Sequence, residues 1–144
     1  MTNAVDALRA FNRFHSQWAG LLRPSYMDSG LGVTAARLLY EIGRAPTGGL
    51  LASDLCADLA LDPGYVSRVL SRFEKSGWIA RDRGRDARQR PIRLTPAGEA
   101  FLVRLDQRTR ADTAARIAHL SPGNRAVLVA ALAQVRALLD PAAD

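Results

Sequence analysis

The residues of this chain best suited to chemistry lie between positions 62 and 95. Nine of the 20 basic residues stand there (Arg68, Arg72, Lys75, Arg81, Arg83, Arg85, Arg88, Arg90 and Arg93) against four of the 14 acids (Asp62, Glu74, Asp82 and Asp86). These 34 residues therefore carry five charges of the net +6, and the other 110 are almost neutral. Cations gathered on one supersecondary unit suit a polyanion, because each phosphate contact releases condensed counterions and the contacts must converge on one face. Other chemistry lacks its parts. There is no phosphate-cradling glycine loop and no nucleophile and base at a recognisable spacing, so an enzyme is not expected. The single cysteine, Cys56, excludes an internal disulfide and a multi-cysteine zinc site, and His15 and His119 are too distant in sequence for a local metal pair. Neither a metal nor a cofactor is implied.

The basic segment has strong local signals. Asp62 is placed to cap a helix whose first residue is Pro63, and Gly77 is placed to end it in the left-handed geometry that glycine tolerates best. Val66, Val69, Leu70 and Phe73 fall at i, i+3, i+4 and i+7, which predicts a buried face. Pro63, Gly64, Tyr65, Ser67, Arg68, Ser71, Arg72 and Lys75 are then left to meet a ligand, with Tyr65 equally able to pack against the preceding turn. Beyond Gly77, residues 78–81 and 91–94 suggest two short strands flanking a polar turn at 82–90, a hairpin with a long basic tip.

The elements that must hold this unit follow from periodicity and punctuation. Residues 5–22 repeat apolar or aromatic side chains at Leu8, Phe11, His15, Trp18 and Leu22, a helical stripe widened by Phe14 and Leu21. A loop is expected at 26–32, then a helix at about 34–44 capped by Thr34 with Ala35, Leu38, Leu39 and Ile42 inward. Residues 51–59 predict a short helix with Leu55, Cys56 and Leu59 on one face, joined closely enough to the next to suggest helix-turn-helix. Thr95-Pro96 starts a helix running to about His119, and Ser121-Pro122 starts the last, to about Leu139. That last helix is apolar around most of its circumference and must be covered. It and the first helix carry surplus apolar surface, which a second copy across a two-fold axis would bury.

Length agrees with one domain over residues 1–144, burying about two-thirds of its unfolded surface as a monomer. With 48% hydrophobic and 24% charged residues the chain is ordinary for a folded protein, and its longest apolar run, 126–133, is far short of a membrane span. A cytoplasmic protein without a membrane partner is expected.

This element order resembles the MarR family of winged-helix transcription regulators. The resemblance covers almost the whole chain and rests on Leu61-Asp62 leading into Val66-Ser67-Arg68 and Phe73-Glu74-Lys75-Ser76-Gly77, with Asp86-x-Arg88 and then Leu94-Thr95 behind them. It looks especially like the regulator half of MarR proteins fused to a GNAT-type acetyltransferase, but the chain ends after the last regulator helix, so no acetyltransferase is expected. The resemblance implies a mainly α fold with a small β-wing: a winged helix-turn-helix at about 34–95 between dimerisation helices at about 5–22 and 96–139. It implies a homodimer that lays the 63–76 helix in the major groove of double-stranded DNA and directs the wing toward the minor groove. Arg88 is then the wing arginine, held by Asp86, with Arg83, Arg85 and Arg90 around it. Such a dimer is expected to repress from a pseudo-palindromic operator and to be released by an aromatic or phenolic small molecule, for which His15, Trp18, Arg37 and Tyr40 are the candidate pocket residues. Two other readings stand beside it: a winged helix that binds a protein partner, and a redox-sensing regulator using Cys56, although that thiol's expected inward position makes it a small core hydrophobe.

Overall fold

Phe73 is the bulkiest of the fully buried side chains among the described residues. The computed structural model describes residues 1–46, 49–82 and 89–142. In chain order these form α1 (Ala4–Trp18), a 3-10 turn (Tyr26–Asp28), α2 (Val33–Arg44), α3 (Ala52–Leu59), α4 (Pro63–Lys75), β1 (Ile79–Arg81), β2 (Ile92–Leu94), α5 (Pro96–Arg116) and α6 (Pro122–Leu139). The fold is mainly α with a small antiparallel sheet, the winged helix-turn-helix arrangement expected from the sequence. Contacts divide the chain into two compact units, Met1–Thr109 and Arg110–Asp144.

In the first unit the core takes one stripe from each helix of the helix-turn-helix region. Ala35, Ala36, Leu38, Leu39 and Ile42 of α2, Leu55 of α3, and Val66, Val69, Leu70 and Phe73 of α4 are buried with Leu31, Ile79, Ile92 and Leu105. The inward faces of α2 and α4 are those that the periodicity predicts. On α3 only Leu55 is buried; Cys56 is half-buried at the core's margin rather than within it, because an eight-residue helix turns it about 100° away from Leu55.

The ends of the helices explain where the sequence reading drifts. The α1 helix stops at Trp18, not Leu22, because Gly20 takes φ +69° and closes a Schellman motif: its N–H donates to the Gln17 carbonyl and that of Leu21 to Ser16. Leu21 and Leu22 continue the apolar spacing but not the helix. Gly32, in extended conformation, precedes α2 in place of Thr34, with no side-chain cap. At the end of α3 the left-handed position is taken by Ala60 (φ 51°), which glycine-based punctuation cannot reveal. The α5 helix ends at Arg116, three residues early, in a tightening turn where Leu120 N–H donates to Ile117.

The sheet pairs Ile79 with Leu94, Ala80 with Arg93 and Arg81 with Ile92. Each strand is one residue shorter than predicted. A third piece was not expected: Leu50 forms an antiparallel bridge to Ile92, exchanging N–H···O bonds of 3.1 and 2.8 Å. Gly49, at φ +85°, allows the approach, since a Cβ there would lie 2.8 Å from the Ile92 carbonyl.

The end of α4, the sheet and α5 are joined at one place. Gly77 adopts φ +75°, Trp78 N–H donates to the Phe73 carbonyl, and Thr95 N–H donates to the Trp78 carbonyl. Trp78 tilts against Phe73 (5.8 Å between centroids) and stacks on Phe101 of α5 (4.1 Å). Thr95 caps α5 by accepting from Gly98 N–H at 3.1 Å.

The second unit contains the end of α5 and α6. Arg116 pairs with Asp112 at 2.6 Å, and Ser121 caps α6 by accepting from Asn124 N–H at 3.1 Å. No residue of α6 is buried; Leu138 is 78% and Val129 69% exposed.

A Cβ on Gly98 would lie 2.1 Å from the Trp78 carbonyl oxygen, whereas one on Gly77 meets nothing within 4 Å. Gly98→Ala must therefore push backbone from backbone, while Gly77→Ala bears only the left-handed φ. Urea unfolding is expected to show a loss of about 1–2 kcal/mol for Gly77→Ala and a clearly larger one, about 3 kcal/mol or more, for Gly98→Ala. Equal losses would sink the close-approach argument.

Candidate nucleic-acid interface

The geometry of α4 begins with its caps. Asp62 accepts from Tyr65 N–H at 2.9 Å, Pro63 fills the first helical position, and the four buried apolar residues lock the rotation of the helix. The opposite face is consequently held outward. Pro63, Gly64, Ser67, Arg68, Ser71, Arg72 and Lys75 are exposed, whereas Tyr65 is half-buried and packs against the core. Ser67, Arg68, Ser71, Arg72, Lys75 and Ser76 line a shallow groove of about 520 Å³. Ser76 was missed by the sequence reading, although it lies four residues after Arg72 and so continues the same stripe.

The cations of the segment are not equivalent. Arg81 Nε lies 2.7 Å from Glu74 Oε1, shielded from solvent and held by charge rather than by an aligned hydrogen bond. Arg93 Nε donates to both carboxylate oxygens of Asp82, at 2.9 and 3.1 Å. Both pairs are partly solvated, so they contribute little stability, but they neutralise two of the nine positive charges. Arg72 Nη2 donates to the Gly30 carbonyl at 2.8 Å. Among the described residues, Arg68, Lys75 and the exposed Arg90 make no side-chain hydrogen bond or ion pair, which leaves their charge available to a ligand. Of the wing candidates, Arg83, Arg85, Asp86 and Arg88 lie outside the described residues.

A second concavity, a cleft of about 670 Å³, lies beside α2. Its wall is largely apolar, with Leu21, Leu59, Leu61, Leu102 and Leu105, and Tyr26, Arg37, Tyr40 and Asp106 add polar groups. Arg37 pairs with Glu41 at 2.8 Å, and the Arg44 guanidinium lies 5.6 Å from the Tyr40 ring centroid. The structure thus brings Arg37 and Tyr40 to one cleft. It puts His15 and Trp18 elsewhere, in an aromatic row on α1 where His15 stacks between Phe11 (5.6 Å) and Trp18 (6.1 Å). Cys56 lines a separate surface groove with Ala52, Val66, Leu70 and Arg81. Among the described residues no three His, Cys, Asp or Glu side chains group as a metal site would require, and no helix is long and apolar enough to cross a membrane.

Two helices in tight succession, the second exposing a basic face, followed by a hairpin that returns to the core, define a winged helix-turn-helix protein. Residues 29–89 match the model of the MarR family. The chain is also similar in structure to a MarR-family transcriptional regulator of Silicibacter pomeroyi, with 25% identity, 94% of this chain and 90% of that one covered, and a TM-score of 0.65. Over residues 29–89 the chain resembles the winged-helix transcription regulators of the MarR family, and it shares their fold. Two further solved structures share the fold. One is a MarR-family regulator of Streptomyces coelicolor in complex with DNA (22% identity, coverage 98% and 91%, TM-score 0.69). The other is a MarR-family protein of Mycobacterium tuberculosis in complex with salicylic acid (22% identity, coverage 94% and 97%, TM-score 0.65). Comparison of the sequence with curated proteins finds no match.

The cap that starts α4 is testable apart from any ligand. Asp62→Ala is expected to lower stability by about 1 kcal/mol, whereas Asp62→Asn, which keeps the acceptor, should stay within a few tenths of wild type in the same urea titration. Equal effects of the two would mean that the charge of Asp62, not its hydrogen bond to Tyr65, holds the helix start.

Proposed function

We propose that this regulator is a homodimeric repressor that binds a pseudo-palindromic operator in double-stranded DNA through the outer face of α4. The observation that carries the reading is the pairing of a core-locked helix with exposed cations, Arg68 and Lys75, that no acid of the described residues neutralises. Arginine on such a face can donate two parallel hydrogen bonds to guanine, while Lys75, Ser67 and Ser71 suit phosphate oxygens. Pro63 and Gly64 bring the helix N-terminus, with its free N–H groups, close to the backbone of the duplex. Arg83, Arg85, Arg88 and Arg90 would follow the adjacent minor groove, with Asp86 orienting Arg88. The DNA complex of the Streptomyces coelicolor regulator supports this use of the fold.

Dimerisation is supported by the apolar surface that α1 and α6 leave uncovered, including Phe14 at 60% and Leu138 at 78% exposure. A two-fold axis would set the half-sites about one helical turn apart. An aromatic or phenolic effector entering the cleft beside Arg37 and Tyr40 would release the DNA by favouring a dimer whose recognition helices no longer match that spacing, since a ligand shifts an equilibrium only through differential affinity. His15 and Trp18 would take part through the dimer face of α1. The salicylic acid complex of the Mycobacterium tuberculosis protein supports a small-molecule site in this fold.

The test is anisotropy with the DNA upstream of the protein's own gene, across a salt series and against random duplex competitor. Binding that resists competitor, with a footprint of two-fold symmetry, is expected. Arg68→Ala, Lys75→Ala and Arg88→Ala should each weaken binding, and loss of a phosphate contact should reduce the salt slope by about one. Binding abolished by competitor, with all three variants like wild type, would refute the reading and leave a protein-interaction module.

A further inference from the structure

Arg72 shares a face with Arg68 and Lys75, but its charge is directed differently. Its Nη2 reaches 42 residues back in sequence to the Gly30 carbonyl, at 2.8 Å. That carbonyl belongs to a loop held in one shape. Tyr26 N–H donates to the Leu31 carbonyl at 2.7 Å, Gly30 N–H to Ser25 Oγ at 2.9 Å and Leu31 N–H to Ser29 Oγ at 3.1 Å, while the Leu31 side chain is fully buried. The loop also stores left-handed backbone at Met27 (φ 51°), Asp28 (φ 53°) and Gly30 (φ 79°), the first at a residue that disfavours it. Such a conformation persists only where its surroundings over-determine it, and a second arginine contributes: Arg108 of α5 donates Nη1 to the Met27 carbonyl at 3.2 Å. Two guanidinium groups from two helices thus grip consecutive parts of one strained loop. Tyr26, at the loop's start, lines the cleft beside α2.

We propose that Arg72 is a positioning residue of the DNA interface: it clamps the second half of α4 to loop 25–32, fixing the angle at which Arg68 and Lys75 meet the duplex, and does not itself neutralise a phosphate. The proposal rests on the DNA-binding reading above. A planar fork bonded to a fixed carbonyl is pre-organised, so little side-chain freedom remains for following a phosphate. The same clamp joins the cleft wall at Tyr26 to the recognition helix.

Gly30 makes the clamp testable without touching a charge. A Cβ there meets nothing within 4 Å, so Gly30→Ala disturbs only the φ that aims the carbonyl. The full-length chain, Arg72→Ala, Gly30→Ala and the double variant would be titrated with a random duplex across a salt series, and melted without DNA. Each single variant is expected to weaken DNA binding about fivefold and the double variant no further, because both break one interaction. All salt slopes should match wild type, in contrast to Lys75→Ala. A slope reduced by about one in Arg72→Ala, with Gly30→Ala at wild-type affinity, would overturn the proposal in favour of a direct phosphate contact, and multiplying losses would overturn it too. Should wild type bind no duplex, the DNA reading falls and the interface role with it; the melting cycle then still reports whether Arg72 and Gly30 are coupled.

Discussion

The burial of one apolar stripe on α4 governs the rest of this structure. Val66, Val69, Leu70 and Phe73 are each worth about 1.5–3 kcal/mol when removed from water, and together they allow the helix only one rotation about its axis. Every property of the outer face is a consequence. Arg68 and Lys75 are exposed because Val66, Leu70 and Phe73, each two positions from one of them, are buried, and the Schellman turn at Gly77 returns the chain to the core so that Trp78 meets both Phe73 and Phe101. The sheet and α5 are positioned from that turn, with the Gly98 backbone set against the Trp78 carbonyl.

The electrostatics are more selective than a charge count implies. Composition alone makes residues 62–95 a uniformly basic segment. In three dimensions Arg81 and Arg93 are held by Glu74 and Asp82, and Arg72 by a backbone carbonyl. Among the described residues the cations left without a protein partner are thereby fewer and at defined places, which suits register over indiscriminate attraction to polyanions.

What the sequence made legible was whatever depends on local chemistry. The Asp62-Pro63 start and Gly77 end of α4, the buried faces of α2 and α4, and the Thr95 and Ser121 caps all follow from residue types at short spacing, and all are found. The misses share another cause, which is that they depend on contacts between distant segments or on backbone that no residue type announces. Leu50 joins the sheet only because Ile92 stands opposite it, Ala60 takes a glycine's conformation, and Arg72 finds Gly30 across 42 residues. Gly20 did carry a stop signal for α1, but Leu21 and Leu22 continued the apolar spacing and masked it. The candidate interface on α4 was legible to nearly every residue because it is the complement of a buried stripe; the cleft was half legible, since Arg37 and Tyr40 are one turn apart on α2 whereas Tyr26 and Leu102 reach it from elsewhere.

The bridge at Leu50 also bears on how this protein stays apart from its neighbours. A two-stranded sheet ordinarily has two open edges, each offering unpaired N–H and C=O groups to any extended chain that drifts past. Here Leu50 occupies the outer side of β2 with both of its backbone groups, and Ile92 beneath it is wholly buried. Among the described residues the sheet's remaining edge, along β1, is three residues long, too short to seed a cross-chain ladder. The described strands thus offer little unpaired backbone to a passing chain.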